Sequence, residues 1–185
     1  MARAASSSLP NLYLTGFMGV GKSAVGRSVS KQLGLHFIDS DAVIEESAGK
    51  PITQIFAEEG EPRFREWERW FVQQGHASTG QVVACGGGLI IPPGMRELLL
   101  SKGIVICLFA QPETILQRTM QSDKRPLLNV EDSARRIREL LDQRMPVYMQ
   151  TGIGVCAEGR SLTDVVQNVV RIYRRESRRL SRATS

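Results

Sequence analysis

Eight consecutive residues, Gly16-Phe17-Met18-Gly19-Val20-Gly21-Lys22-Ser23, fit the pattern GxxxxGK[ST]. Each fixed position has a chemical reason. Glycines let successive backbone N–H groups turn inward on the oxygens of a polyphosphate, and a helix starting just after them adds its positive end. The Lys22 ammonium is placed to reach β- and γ-phosphates, and the Ser23 hydroxyl to ligate Mg²⁺. Gly19, Val20, Gly21, Lys22, Ser23 and Ala24 are thus candidate ATP-binding residues, Ala24 offering only its backbone N–H. The flanks agree: Leu12 to Thr15 reads as a buried strand, and Lys22 to Leu33 as a helix closed by Gly34. The pattern names a phosphoryl donor and leaves the acceptor open.

Four further groups bear on the acceptor. Asp39-Ser40-Asp41 follows a short strand at His36–Ile38, where open α/β sheets meet their ligands. One carboxylate there suits Mg²⁺ through water and the other a proton from an attacking hydroxyl. Helix capping by an aspartate just before Ala42 explains the pair equally well. Arg65 and Glu68, in Gly60-Glu61-Pro62-Arg63-Phe64-Arg65-Glu66-Trp67-Glu68, share a helix face, so the acid can hold the guanidinium as a fork for a carboxylate. A solvated surface ion pair fits the same spacing. Trp67 and Trp70 read as packing. Gly86-Gly87-Gly88 permits close approach by a ligand, or simply makes a flexible turn. The stretch around Lys124-Arg125-Pro126, about residues 120–131, reads as a mobile lid or as an ordinary solvated loop.

Strands separated by helices must position these groups. Helices are expected at 42–48, at 52–74 with a break at Gly60 and Pro62, at 92–100, from Pro112, at about 132–145 and from Leu162. Strands are expected at 81–84, 104–109 and near 153–156. The alternation predicts a three-layer α/β/α domain on a five-stranded parallel sheet. A leader at 1–10, one domain over 11–173 and a basic tail at 174–185 complete the organisation. Residues 171–185 carry six arginines against one acid and account for the whole net charge of +5, so the rest of the chain is neutral. The charge therefore describes a tail and not a nucleic-acid-binding face, and the tail itself reads as a solvated, frayed helix end. No apolar run is long enough to span a membrane. Cys85, Cys107 and Cys156 form no CxxC pair, which suits a reducing cytoplasm better than a disulfide or zinc framework.

The pieces GFMGVGKS, FIDSD, IFAEEGEPRFREWE, GGG, RPLL and QRMPVY, in this order between about Asn11 and Ile172, resemble the shikimate kinase family. The resemblance implies the P-loop kinase fold with a lid and a monomer. It further implies transfer of the ATP γ-phosphoryl group to the 3-hydroxyl of shikimate, with Mg²⁺. It gives Asp41 the role of proton acceptor and contact to the substrate hydroxyls, and Arg65 and Arg144 that of clamping the substrate carboxylate. Gly86, Gly87 and Gly88 would meet substrate through backbone, with Gly87 the matched position. Arg125 would reach the transferred phosphate from the lid, Arg118 would pack on adenine, and Asp39 would associate with Mg²⁺. Together, Lys22, Asp41 and Arg125 form the expected catalytic set.

Three features depart from the family pattern. Ala24 replaces the usual second hydroxyl, Cys85 stands before the glycines as either a reactive thiol or an inert buried one, and the arginines run past the usual end. Two other functions remain: a related small-molecule kinase of the gluconate kinase type, and a silent member acting as a binding protein. The first has no reason to keep the Arg65–Arg144 pair with the DSD and FRxxE pieces. The second would be expected to lack Lys22, Asp41 or a clamp arginine, and all are present.

Overall fold

In a computed structural model the described residues are 9–120 and 133–183. The first strand, β1 (Asn11–Thr15), is buried at every position. Such a strand has no solvent face, which requires helices on both sides and neighbours on both edges. It pairs in parallel with β3 (Gln81–Ala84) on one side and with β4 (Gly103–Phe109) on the other. Outside them lie β2 (His36–Asp39) and β5 (Gly154–Cys156), giving the parallel order β2-β3-β1-β4-β5. Both edge strands are short, which limits the unpaired backbone left at the rims. The five-stranded parallel sheet is the one expected.

The helices between them are α1 (Lys22–Leu33), α2 (Ser40–Ala48), α3 (Ile52–Gln74), α4 (Met95–Lys102), α5 (Pro112–Met120), α6 (Ser133–Met149) and α7 (Leu162–Ala183). α1 lies against the sheet through Val25, Gly26 and Val29 and ends at Gly34 in the left-handed region. At Gly26 a Cβ would stand 2.6 Å from the Phe37 ring, so a glycine there sets how closely α1 sits on β2. α3 is broken at Gly60 (φ 80°, ψ 174°), just before Pro62, as its sequence implied. Beyond the break, Phe64, Glu68, Phe71 and Val72 face inward at helical spacing. Trp67 and Trp70 pack edge to face at 5.4 Å between ring centroids.

Four expected boundaries change. The helix placed at 92–100 starts instead at Met95, because Gly94 (φ 80°) caps it and Met95 N–H donates to Pro92 O across the preceding turn. α6 runs through Pro146 to Met149, although proline removes one helical hydrogen bond there. α7 does not fade after residue 173: it continues through the arginines to Ala183, with Ser177 still buried. The end of the expected leader is tied down, since Pro10 O accepts from the Tyr173 hydroxyl at 2.7 Å and Leu9 O from Gly80 N–H. The expected lid, with Lys124, Arg125 and Pro126, lies outside the described residues.

The turn out of β1 is the tightest backbone approach near the cleft. Gly16 has φ 125°, and a Cβ on it would collide with the Leu108 carbonyl of β4. Gly16→Ala should therefore lower stability by about 3 kcal/mol, strain and overpacking combined, as measured by urea unfolding. A loss below about 1 kcal/mol would show that the turn can relax.

Candidate active site

The carboxyl ends of β1, β2 and β3 open on one side of the sheet, and the loops that leave them meet there. From β1 comes the glycine loop. Lys22, in the first turn of α1, folds back so that its ammonium donates to Gly16 O at 2.8 Å and Phe17 O at 2.9 Å. The Ser23 hydroxyl donates to Asp39 Oδ2 at 2.9 Å, joining the loop to the end of β2. From across β4, Arg118 of α5 donates to Val20 O at 3.2 Å. Gly19, Gly21 and Gly16 all have positive φ, which the loop's reversals of direction require. Ala24 is exposed on α1 directly after Ser23.

The two aspartates divide in a way their sequence left open. Asp39 is the cap of α2: its side chain accepts from Asp41 N–H at 3.2 Å while also accepting from Ser23. Capping thus belongs to Asp39, not to the aspartate next to Ala42, and Asp41 is spared for other partners. Burial raises the Asp41 pKa above the usual carboxylate range. The nearby Asp39 charge adds to this, and Lys22 pulls the other way.

The glycines after β3 lie in a turn, in which Leu89 N–H donates to Gly86 O at 3.1 Å, and groups of the protein itself crowd them. None of Gly86, Gly87 and Gly88 needs positive φ. A Cβ on Gly86 would strike Asp41 Oδ1, one on Gly87 would lie 3.2 Å from Met18 N, and one on Gly88 would lie 2.7 Å from Arg65 Nη1. These positions are glycine for space. Before them, Cys85 is buried and its thiol pKa is pushed far up by burial, so it reads as inert.

Arg65 is held from two sides. Its Nη1 donates to Glu68 Oε2 at 2.6 Å, and its Nη2 to Glu61 Oε1 at 2.6 Å. Glu68 is only 1% exposed, so this is not the solvated surface pair its spacing also allowed. Burial pushes Glu68 up to about 7 against the opposing pull of Arg65, with Asp41 raising it and Arg144 lowering it further. Arg144, on α6, stands 6.0 Å from the Phe17 ring centroid and lies near enough to Tyr148, one turn on, to act on it electrostatically. The buried Tyr148 hydroxyl donates in turn to Gly87 O. Asp41, Glu68, Arg65 and Arg144 therefore share one electrostatic neighbourhood.

Two participants were not singled out from sequence. Ser40, fully buried, accepts from Gly86 N–H at 2.7 Å and so ties α2 to the glycine run. Tyr148 ties the same run to α6. Its signal was the spacing of four from Arg144. The signal for Glu68's burial was its place on the stripe with Phe64 and Phe71.

A glycine loop between a central parallel strand and a helix, facing a cleft of acids and arginines, defines a P-loop kinase of small molecules. The family model described as "Shikimate kinase" matches residues 18–174. The chain belongs to the shikimate kinase family. It is 48% identical over 157 residues to a shikimate kinase of Deinococcus radiodurans, covering 85% of this chain and 80% of that one. With a shikimate kinase of Thermus thermophilus it shares 45% over 158 residues, 85% of this chain and 86% of that one. The solved structure of shikimate kinase from Acinetobacter baumannii in complex with shikimate superposes with a TM-score of 0.84 at 38% identity, covering 91% of this chain and 94% of that one. A gluconokinase from Sinorhizobium meliloti, 17% identical with a TM-score of 0.58 over 95% of this chain and 98% of that one, shares the fold.

Two outcomes follow from this geometry. Glu68 in the folded protein keeps its proton to about pH 7, whereas the unfolded chain releases it near the ordinary glutamate value of 4.5. The native state then binds more protons in that window, so this group's contribution to stability falls as pH rises through it. Glu68→Gln should flatten the loss in urea midpoint between about pH 5 and 8, and an unchanged slope would place the titration elsewhere. Ser40→Ala leaves the Gly86 N–H without its acceptor, a loss of about 1–3 kcal/mol. It should raise KM for the phosphoryl acceptor several-fold with little change for ATP, and Ser40→Thr should restore it. Equal effects on both KM values would mean a general loosening of the site.

Proposed function

We propose that the chain is a shikimate kinase that transfers the ATP γ-phosphoryl group to the 3-hydroxyl of shikimate, giving shikimate 3-phosphate and ADP, in the route to chorismate and the aromatic amino acids. The observation that carries the reading is the convergence of Asp41 and Arg65 on the glycine run beside the phosphate loop, with Arg144 in the same electrostatic neighbourhood. A small acid bearing several hydroxyls needs a carboxylate clamp and a proton acceptor beside a phosphate cradle, and this cleft supplies all three.

The roles follow from charge and position. The carboxylate of shikimate binds the guanidinium groups of Arg65 and Arg144, the first pre-oriented by Glu61 and Glu68. Asp41 accepts the proton of the attacking hydroxyl as the O–P bond forms and the bond from γ-phosphorus to the ADP oxygen breaks. Its raised pKa makes it a better base than an ordinary aspartate. The backbone N–H groups of Gly19, Val20, Gly21, Ser23 and Ala24 hold the phosphates, and Lys22 neutralises charge on the γ-phosphoryl oxygens. Arg118, bonded to the same loop, lies on the nucleotide side. The part of Arg125 rests on the sequence alone.

Mg²⁺ fits the residues present. The Ser23 hydroxyl and the Asp39 carboxylate lie side by side at 2.9 Å, both hard oxygen groups, and would hold the ion directly and through water respectively. When bound, the ion would screen phosphate charge. Among the described residues no helix is long and apolar enough to cross a membrane. The free thiols of Cys85, Cys107 and Cys156 suit the cytoplasm, and the family resemblance suits a monomer.

A coupled ADP-release assay tests the reading. Shikimate should support turnover and gluconate should not; the reverse would overturn the clamp and favour a gluconate kinase. Asp41→Asn should lower kcat by at least about a hundredfold while ATP binding persists, and the wild-type acid limb should lie above the usual carboxylate range. Near-normal turnover in that variant would remove Asp41 from the proton transfer.

A further inference from the structure

α7 presents two unlike faces. The inner one packs Val165, Val166, Val169, Val170 and Tyr173 into the core, running against α1. The outer one carries Arg171, Arg174, Arg175, Arg178, Arg179 and Arg182, at spacings of three and four that gather them on one side. With Gln167 and with Gln32 from the last turn of α1, they line a groove of about 650 Å³. Gln32 stands ten residues along α1 from Lys22, roughly 15 Å at helical rise, so the groove is distinct from the cleft.

Little within the chain offsets this charge. Arg171 bonds Asn168 at 2.8 Å, and the one acid, Glu176, serves Arg175 at 2.7 Å and Arg179 at 3.4 Å. Among the described residues Arg174, Arg178 and Arg182 make no ion pair. Like charges at these spacings repel across a helix surface. The helix dipole welcomes cations only in the last turn, which covers Arg182 and leaves the earlier arginines uncompensated.

We infer that this groove is a second anion site, taking a compact polyphosphate of three or more linked phosphates. Guanidinium forks match phosphate oxygens two at a time, and several on one groove reward a ligand that concentrates charge. The volume is that of a small-molecule site. No aromatic ring lines the groove, so it lacks the stacking platform of a single-strand nucleic-acid binder. Leu180 is the exposed large apolar residue among these arginines, too little to seat the helix in a bilayer.

The test uses the full chain saturated with a non-hydrolysable ATP analogue and Mg²⁺, so that the active site is filled. Titration calorimetry with inorganic tripolyphosphate should show binding near one equivalent that weakens as KCl is raised. Combining Arg174→Ala, Arg178→Ala and Arg182→Ala, all at exposed positions, should weaken it by about tenfold or more while shikimate turnover is unchanged. A wild type that does not bind tripolyphosphate, or a triple variant that binds it equally well, would overturn the assignment. So would retention of a uridine 20-mer or of vesicles with 30% phosphatidylserine through the same arginines without tripolyphosphate binding.

Discussion

The backbone of Gly86 to Gly88 is the surface against which the rest of the site is set. Asp41 presses on the first glycine, the phosphate loop at Met18 on the second, and the Arg65 guanidinium on the third. Ser40 and Tyr148 then fasten the same segment from α2 and α6. Groups that follow β1 and β2, on either side of β3, thus come close together because β3 runs into residues without side chains. Any Cβ here would push apart the donor and acceptor halves of the cleft, and phosphoryl transfer depends chiefly on their relative position.

Charge in the cleft is arranged by burial as much as by pairing. Desolvation is the largest influence on both Asp41 and Glu68, and it favours their neutral forms. Lys22 opposes it at the first, Arg65 and Arg144 at the second. The acids and bases are therefore balanced against each other within one low-dielectric space, where a carboxylate from outside would compete with Glu68 for the same guanidinium. Binding of an anionic substrate would relieve Arg65 of part of its attachment to an acid that burial already disfavours as an ion.

Local chemistry was legible in the sequence. The glycine loop, the α1 boundaries and the break at Gly60 all depend on neighbours within a few residues, and pattern alone locates them. Contacts across the fold were less so. That the other oxygen of the capping Asp39 meets Ser23 depends on α1 and the end of β2 lying together. That Ser40 accepts from Gly86 depends on β2 and β3 lying side by side. Glu68 could have been found, since it shares a face with Phe64 and Phe71, but its spacing from Arg65 suggested an equally ordinary surface pair. α7 outruns the expected end at 173 because the inner face continues past the apolar positions to the buried Ser177.

The central place of β1 also bears on how the chain is made. The strand and its phosphate loop leave a ribosome before β3 and β4, which flank them and come some seventy and ninety residues later. Gly16 rests against the carbonyl of Leu108, so the loop has no template for its shape until that residue has been synthesised. A nascent chain shorter than this holds a strand that is buried along its whole length in the finished fold, with its β4 edge still incomplete. The segment that defines the enzyme's chemistry is thus born early and shaped late, and in the interval it needs protection from other exposed strands.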